Sequence, residues 1–206
     1  MEYKWLNRQN NDSVIIFFNG WGMDESVLNH LGFENYDVLM FYDYNSLDTD
    51  FDFEEVKKYP KRYLVAWSMG VMVATIFADK FEPLEKAVAI NGTMKPVDNK
   101  FGIPERIYDL TVKNFSPQGA EKFIKNMFWE DCPMPDCKRD FENQKSELAA
   151  LRNYAAKLDF KYTKVLLSTD DKIIPTSNQA AFWNIAPNIK SGHCPFNLFK
   201  AWGEIL

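Results

Sequence analysis

Residues 63–81 read YLVAWSMGVMVATIFADKF, two apolar runs joined without a polar linker. The first run, 63–67, is short and rich in β-branched and aromatic residues, which is typical of a strand buried on both faces. The second run, 69–81, is long enough to predict a helix. Ser68 then lies at the tip of a strand-to-helix turn, and Gly70 is small enough to let the two backbones come close.

Four further apolar runs predict strands of the same kind. They cover residues 14–18, 37–42, 87–90 and 165–167. Segments between and after these runs predict helices at residues 25–31, 53–58 and 179–184, in addition to 69–81. Because strands and helices alternate, we expect an α/β fold whose mainly parallel sheet is flanked by helices.

The alternation stops for about seventy residues after 91–92, where helical patterns continue at 120–129 and 141–158. A chain of 206 residues is expected to form one domain, 1–206. We therefore predict that residues 95–161 form a helical cap inserted into this domain. Residues 95–164 contain 13 Lys or Arg and 11 Asp or Glu, so the insertion is the basic part of a chain with net charge −5.

Composition excludes several classes of protein. With 46% apolar and 26% charged residues the chain is expected to fold, and its net charge of −5 disfavours nucleic-acid binding. Three cysteines and a polar start at residues 1–13 favour a reducing compartment and indicate no export signal. No apolar run approaches the roughly 18 residues of a membrane span. We expect a cytoplasmic protein with no membrane partner.

A serine hydroxyl needs a base to become a nucleophile, and the chain has two histidines. His30 precedes the serine within the predicted helix 25–31, where a surface or half-buried histidine is the ordinary interpretation. His193 follows the last predicted strand, and Asp170 and Asp171 follow the same strand directly. Since active sites of α/β sheets lie at the carboxyl ends of strands, Ser68, Asp171 and His193 are the candidate catalytic residues.

The chain order serine, aspartate, histidine resembles that of the α/β-hydrolase family. The catalytic acid of this family commonly lies in an Asp-x-apolar-apolar-Pro string, which residues 171–175 match. Asp171 is therefore the preferred acid, and Asp170 is interpreted as a solvated residue of the turn. The resemblance also implies an oxyanion hole formed by the backbone N–H groups of Met69 and Trp21. Trp21 lies in the string NGWGMD at 19–24, where many relatives have histidine in place of asparagine.

The strings FFNGWGMD at 17–24 and AWSMG at 66–70, in so short a chain, resemble a subfamily. This subfamily comprises the small pimeloyl-acyl carrier protein methyl ester esterases of biotin synthesis, of the type called BioG. The resemblance implies a serine esterase that releases methanol from a pimeloyl chain carried on acyl carrier protein. It implies no metal and no organic cofactor.

The predicted cap contains the candidate substrate-binding residues. We expect Phe123, Met127 and Phe128, together with Trp21, to line an acyl pocket, although an aromatic group that includes Phe115 and Trp129 is usually core. The cap also contains a set of basic residues that either receive an acidic carrier protein or form a solvated face. They are Lys122, Lys125, Lys138, Arg139 and Arg152.

Alternatives to this function remain open. The same triad could serve a broad carboxylesterase or thioesterase acting on small acyl substrates. A hydrolase-fold binding protein without catalysis is the alternative outside enzymes. Cys132 and Cys137 have no histidine nearby, which disfavours a metal site, and Cys194 is expected to be a packed neighbour of His193. The sequence leaves the oligomeric state open.

Overall fold

The computed structural model of the chain describes residues 1–128 and 135–206. A six-stranded sheet in the order β1-β3-β2-β4-β5-β6 forms its centre. The strands are β1 Glu2–Asn7, β2 Ser13–Phe18, β3 Tyr36–Tyr42, β4 Lys61–Trp67, β5 Lys86–Ile90 and β6 Lys164–Leu166. All neighbouring strands are parallel except β1 and β3. The five predicted strands and the mainly parallel sheet are confirmed.

Seven α-helices accompany the sheet in the described residues. They are α1 Glu54–Lys57, α2 Gly70–Phe77, α3 Glu105–Lys113, α4 Pro117–Met127, α5 Phe141–Leu151, α6 Thr176–Trp183 and α7 Trp202–Ile205. The helix predicted at 69–81 ends at Phe77 and continues as a 3-10 turn, Ala78–Lys80. None of the helices that the structure describes has the length and apolar character that a transmembrane span requires.

Alternating side chains of β2 enter the two hydrophobic layers on opposite faces of the sheet. Ile16 and Phe18 belong to one layer, whereas Ile15 and Phe17 belong to the other. All four side chains are fully buried. A strand covered on both faces needs apolar residues at every position, which is why its sequence shows a continuous run rather than an alternating pattern.

Two parts of the fold differ from the sequence-based expectation. The segment Glu2–Asn7, expected as part of a polar start, is an edge strand that pairs with β3 through backbone hydrogen bonds and packs its alternate aromatic residues Tyr3 and Trp5 against the core. The helix predicted at 25–31 is wrong, because only a 3-10 turn forms, Glu25–Val27. The Asp24 side chain caps that turn by accepting a hydrogen bond from the Ser26 N–H. Leu28 and Leu31 are buried although no helix continues through them.

Helices α3, α4 and α5 lie between β5 and β6 in the chain, where the insertion was expected. Helix α3 was not predicted; it is nine residues long, and Tyr108 is the one of its four apolar residues that is buried. The segment predicted as helical to residue 158 ends at Leu151. Trp129 and Cys132 lie outside the described residues. The limits 95–161 of a distinct cap stay a prediction.

The close approach of α2 to β2 gives a first prediction. A Cβ at Gly70 would lie 2.4 Å from the Asn19 carbonyl oxygen and 2.5 Å from that of Phe18. Because both are backbone atoms that cannot move aside, we expect Gly70→Ala to lower the free energy of unfolding by about 1–3 kcal/mol in urea denaturation. In the control Gly32→Ala the nearest atom is 3.4 Å away. We expect a change within about 0.5 kcal/mol there, and equal losses in both variants would contradict the argument.

Candidate active site

Ser68 lies between β4 and α2 with a φ of +57°, in the left-handed region that residues other than glycine rarely adopt. Its N–H donates to the Ile90 carbonyl at 2.9 Å. On the other side, a Cβ at Gly92 would lie 2.3 Å from the Ser68 carbonyl oxygen. The turn therefore requires the glycine at position 92 as well as the one at 70, and it holds the Ser68 hydroxyl at the carboxyl end of the sheet.

The structure brings Ser68, His193 and Asp171 together from distant parts of the chain. His193 Nε2 lies 2.8 Å from Ser68 Oγ, and His193 Nδ1 lies 2.7 Å from Asp171 Oδ2. All three side chains are buried. With the proton on Nδ1 donated to the carboxylate, Nε2 is left as an acceptor for the serine hydroxyl, which is the arrangement that general-base catalysis needs.

The Asp171 carboxylate accepts three hydrogen bonds besides the one from His193. The N–H groups of Ile173 and Ile174 donate to Oδ1 at 2.8 and 2.9 Å, and Gln179 Nε2 donates to Oδ2 at 2.7 Å. Asp170, by contrast, has a side chain that is 53% exposed and lies 3.8 Å from Lys172. The position of Asp171 thus agrees with the choice made from its spacing to Pro175. Gln179 was not predicted as a partner of Asp171, because it lies in the following helix, α6.

The backbone of His193 is also fixed by side chains that sequence reasoning missed. Its carbonyl accepts from Trp67 Nε1 and from Asn91 Nδ2, both at 2.9 Å. Asn91 follows β5 with a φ of +42°, and its Oδ1 accepts from the Ser168 N–H at 2.8 Å. A polar Asn-Gly pair directly after a buried strand is the signal that could have found it.

The two residues predicted to supply the oxyanion donors, Trp21 and Met69, line the same cavity as Ser68. Among the described residues, no hydrogen-bond acceptor occupies the backbone N–H of Trp21 or of Met69. The cavity that they share with Ser68 has a volume of about 200 Å³. An unoccupied N–H pair next to a nucleophile can stabilise a developing negative charge on a carbonyl oxygen.

This cavity is mostly apolar, and the insertion supplies much of its wall. Of the predicted substrate-binding residues, Trp21, Phe123 and Met127 line it, as do residues that the sequence did not single out. These include Ile103, Ile107, Tyr108 and Leu148. Phe128 instead lines a separate groove of about 690 Å³ with Phe196, because α4 ends at Met127 and the backbone of Phe128 is extended.

The basic residues of the insertion are less available than their sequence positions suggest. Lys125, Lys138 and Arg152 each pair with acidic side chains of the insertion, at 2.6 to 3.2 Å. Arg139 is wrong as a surface candidate, because its side chain is 8% exposed and pairs with Glu147 at 2.9 Å and Asp43 at 3.3 Å. Lys122 is exposed on α4.

The remaining sequence candidates make no hydrogen bond to Ser68 in the described residues. His30 is exposed, and its Nε2 lies 2.9 Å from the Phe196 carbonyl oxygen, whereas Ser68 Oγ is hydrogen-bonded to His193. Within residues 1–128 and 135–206, no group of three or more His, Cys, Asp or Glu side chains is arranged to hold a metal ion. Cys194 is buried, and its N–H donates to the Met127 carbonyl.

Comparison with known proteins decides the family. The family described as pimeloyl-ACP methyl esterase BioG matches residues 1–205. The chain belongs to the BioG family. It is therefore an esterase of hydrolase fold, and hydrolysis of the methyl ester of pimeloyl-ACP in biotin synthesis is the activity that fits this family.

Solved structures and a curated relative agree with BioG membership. The crystal structure of BioG from Haemophilus influenzae covers the whole chain and 99% of its own, with 31% identity and a TM-score of 0.88. A thermophilic esterase from Thermogutta terrifontis covers 94% of the chain and 86% of its own at 15% identity and a TM-score of 0.64. A malonyl-[acyl-carrier protein] O-methyltransferase from Bacteroides fragilis is 36% identical over 82% of the chain, which spans only 36% of that protein.

The two neighbouring aspartates allow a matched test. Asp171→Asn should favour the wrong tautomer of His193, so we expect kcat for ester hydrolysis to fall about 10³- to 10⁴-fold. Asp170→Asn should change kcat little, because its exposed side chain does not contact the imidazole. Steady-state kinetics on a small ester measures both variants. If kcat fell in the Asp170 variant and not in the Asp171 variant, Asp170 would be the acid that orients His193.

Proposed function

We propose that this BioG-family chain hydrolyses the methyl ester of pimeloyl-ACP with Ser68 as nucleophile, His193 as base and Asp171 as its orienting acid. The observation that carries the proposal is the continuous chain of hydrogen bonds from Ser68 Oγ through His193 to Asp171. Ser68, at one end of this chain, lines an apolar cavity. The family supplies the substrate class. No metal or organic cofactor takes part in the proposed reaction.

The first half of the reaction transfers the acyl group to the enzyme. His193 Nε2 removes the Ser68 proton as Oγ forms a bond to the ester carbonyl carbon. The carbonyl oxygen becomes an oxyanion that accepts hydrogen bonds from the Trp21 and Met69 N–H groups, each contributing on the order of 3 kcal/mol. When the intermediate collapses, the bond to the methoxy oxygen breaks and His193 returns its proton to give methanol.

The second half releases the acid. Water loses a proton to His193 Nε2 and attacks the acyl-enzyme carbonyl, and the same N–H groups stabilise the second oxyanion. The bond to Ser68 Oγ then breaks, and the serine recovers its proton. The product is a carboxylic acid, which loses its proton to solvent and leaves a carboxylate at the end of a chain that remains attached to its carrier.

The lining of the cavity supports a neutral methyl ester as substrate. Side chains such as Ile103, Ile107 and Leu148 make the wall apolar. An apolar wall stabilises a methylene chain and an uncharged ester, whereas burying an ionised carboxylate there is costly. Binding should therefore favour the methyl ester over the product acid, which helps product release.

Two features support acyl carrier protein as the partner. The insertion carries net positive charge within an acidic chain, which suits an acidic carrier protein. The Bacteroides relative is named as an O-methyltransferase of malonyl-[acyl-carrier protein], an activity on the same class of carrier-bound diacid. Exposed Lys122 is the basic residue that we propose for contact with the carrier, in place of buried Arg139.

A broad carboxylesterase or thioesterase would use the same triad without a carrier. Comparing kcat/KM on pimeloyl-ACP methyl ester with that on the free methyl ester of pimelate separates the two functions. A strong preference for the carrier-bound ester supports our proposal, and equal values favour the broad enzyme. Absence of hydrolysis on both would favour a hydrolase-fold binding protein.

The nucleophile can be tested directly. Ser68→Ala removes one hydroxyl, and we expect a folded protein whose methanol release from pimeloyl-ACP methyl ester falls by several orders of magnitude, because no acyl-enzyme can form. A fluorophosphonate probe should label the wild-type protein and not the variant. Retained turnover in Ser68→Ala would remove the serine from the mechanism.

Charge reversal at Lys122 tests the carrier contact. We expect Lys122→Glu to raise KM for the carrier-bound ester severalfold and to leave hydrolysis of a small free ester unchanged, because the triad does not use this side chain. Lys58→Glu is the matched control, since exposed Lys58 precedes β4 at the opposite end of the sheet from Ser68. Equal effects of both reversals would place the carrier elsewhere.

A further inference from the structure

Helix α5 of the insertion directs two side chains at the loop that follows β2. Gln144 and Glu147 are three residues apart and therefore lie on one face of the helix. The Glu147 carboxylate is fully buried and accepts from the Gly22 N–H at 3.1 Å and from the Tyr44 N–H at 2.9 Å. Neither bond belongs to the catalytic chain described above, and Glu147 does not line the cavity.

Arg139 balances the charge of this buried acid. Its Nη2 lies 2.9 Å from Glu147 Oε2, and its Nη1 donates to the Met23 carbonyl at 3.4 Å. Burial raises the pKa of Glu147, and the neighbouring guanidinium opposes that shift. A buried carboxylate is costly unless it is paired and hydrogen-bonded, so a site with both partners in place is a built arrangement.

The same helix holds the other side of Gly22. Gln144 Nε2 donates to the Gly22 carbonyl at 2.8 Å, and the Gln144 carbonyl accepts from Trp21 Nε1 at 2.8 Å. Gly22 has a φ of +71°, a conformation that depends on its surroundings. Both polar groups of the Gly22 backbone are thus anchored on α5.

We propose that Glu147 is a positioning residue for ester hydrolysis, because it fixes the Gly22 N–H and with it the orientation of the Trp21 N–H toward the oxyanion. The Gly22 N–H belongs to the peptide group that follows Trp21, so only the two backbone dihedrals of Trp21 separate it from the proposed donor. This inference rests on the proposed function. It assigns the insertion a part in catalysis that is separate from substrate contact.

Loss of the Glu147 carboxylate should cause a specific defect. Without the Glu147 acceptor, the Gly22 N–H and Arg139 lose a buried partner, and the loop must shift to find another. A displacement of about 1 Å in a catalytic group can cost on the order of 10²-fold in rate. The loss should appear where the oxyanion hole acts, in kcat, rather than in KM.

The experiment compares a small oxygen ester with its thiono analogue, in which sulfur replaces the carbonyl oxygen. Sulfur accepts hydrogen bonds poorly, so the wild-type enzyme should prefer the oxygen ester through its oxyanion hole. In Glu147→Met, which removes both acceptor oxygens at nearly the same side-chain length, we expect kcat on the oxygen ester to fall about 10- to 10²-fold. The ratio of kcat/KM on the oxygen ester to kcat/KM on the thiono ester should fall about tenfold or more, because the thiono ester depends less on the misplaced donor.

Two further variants keep the test decisive. Arg139→Met combined with Glu147→Met removes both members of the buried ion pair and leaves Asp43 with its hydrogen bonds from Asn45 and Asn143. Its ester ratio should fall as in the single variant even if Glu147→Met alone folds poorly. Arg152→Gln is the control, because Arg152 joins α5 to Glu105 and Asp109 of α3 without touching the loop. Its ratio should equal that of the wild-type enzyme.

The outcomes separate this proposal from the function on which it rests. An unchanged ester ratio in a methionine variant that circular dichroism shows to be folded overturns the positioning role. A lowered ratio in Arg152→Gln as well would also overturn it, since any disturbance of the insertion would then suffice. Activity retained in Ser68→Ala, measured beside them, would overturn the proposed function itself.

Discussion

The backbone at Ser68 imposes the constraint on which the site depends. A left-handed serine costs on the order of 1 kcal/mol or more, so the surrounding structure has to hold it. The hydrogen bond from its N–H to Ile90 and the contacts at Gly70 and Gly92 do so, through β2 and the end of β5. The strained turn is possible because the parallel strands beneath it form a rigid, fully buried core.

Asp171 and His193, the other residues of the proposed triad, are positioned by the ends of neighbouring strands. Asn91 at the end of β5 binds both the His193 carbonyl and the backbone of Ser168, which follows β6. Trp67 at the end of β4 donates to the same carbonyl. The loops that carry Asp171 and His193 are therefore tied to the sheet by backbone contacts, which leave the imidazole ring free to serve the serine.

The insertion serves two physical purposes at one site. Side chains of α3, α4 and α5 contribute to the apolar wall of the cavity, and α5 also binds the loop of Trp21 through buried polar groups. An apolar wall can tolerate small displacements, but hydrogen bonds to Gly22 define its orientation. In our proposals the same insertion therefore contributes to substrate selection through its wall and to the chemistry through Glu147.

Sequence by itself determined the features that depend on local pattern. The buried strands, the turn at Ser68 and the spacing of Asp171 from Pro175 follow from residues that are near one another in the chain. Tertiary structure alone decided the edge strand Glu2–Asn7, whose partner is β3, and the burial of Arg139 beside Glu147. A charged side chain is read as exposed unless its partners are known, and those partners come from segments whose proximity only folding creates.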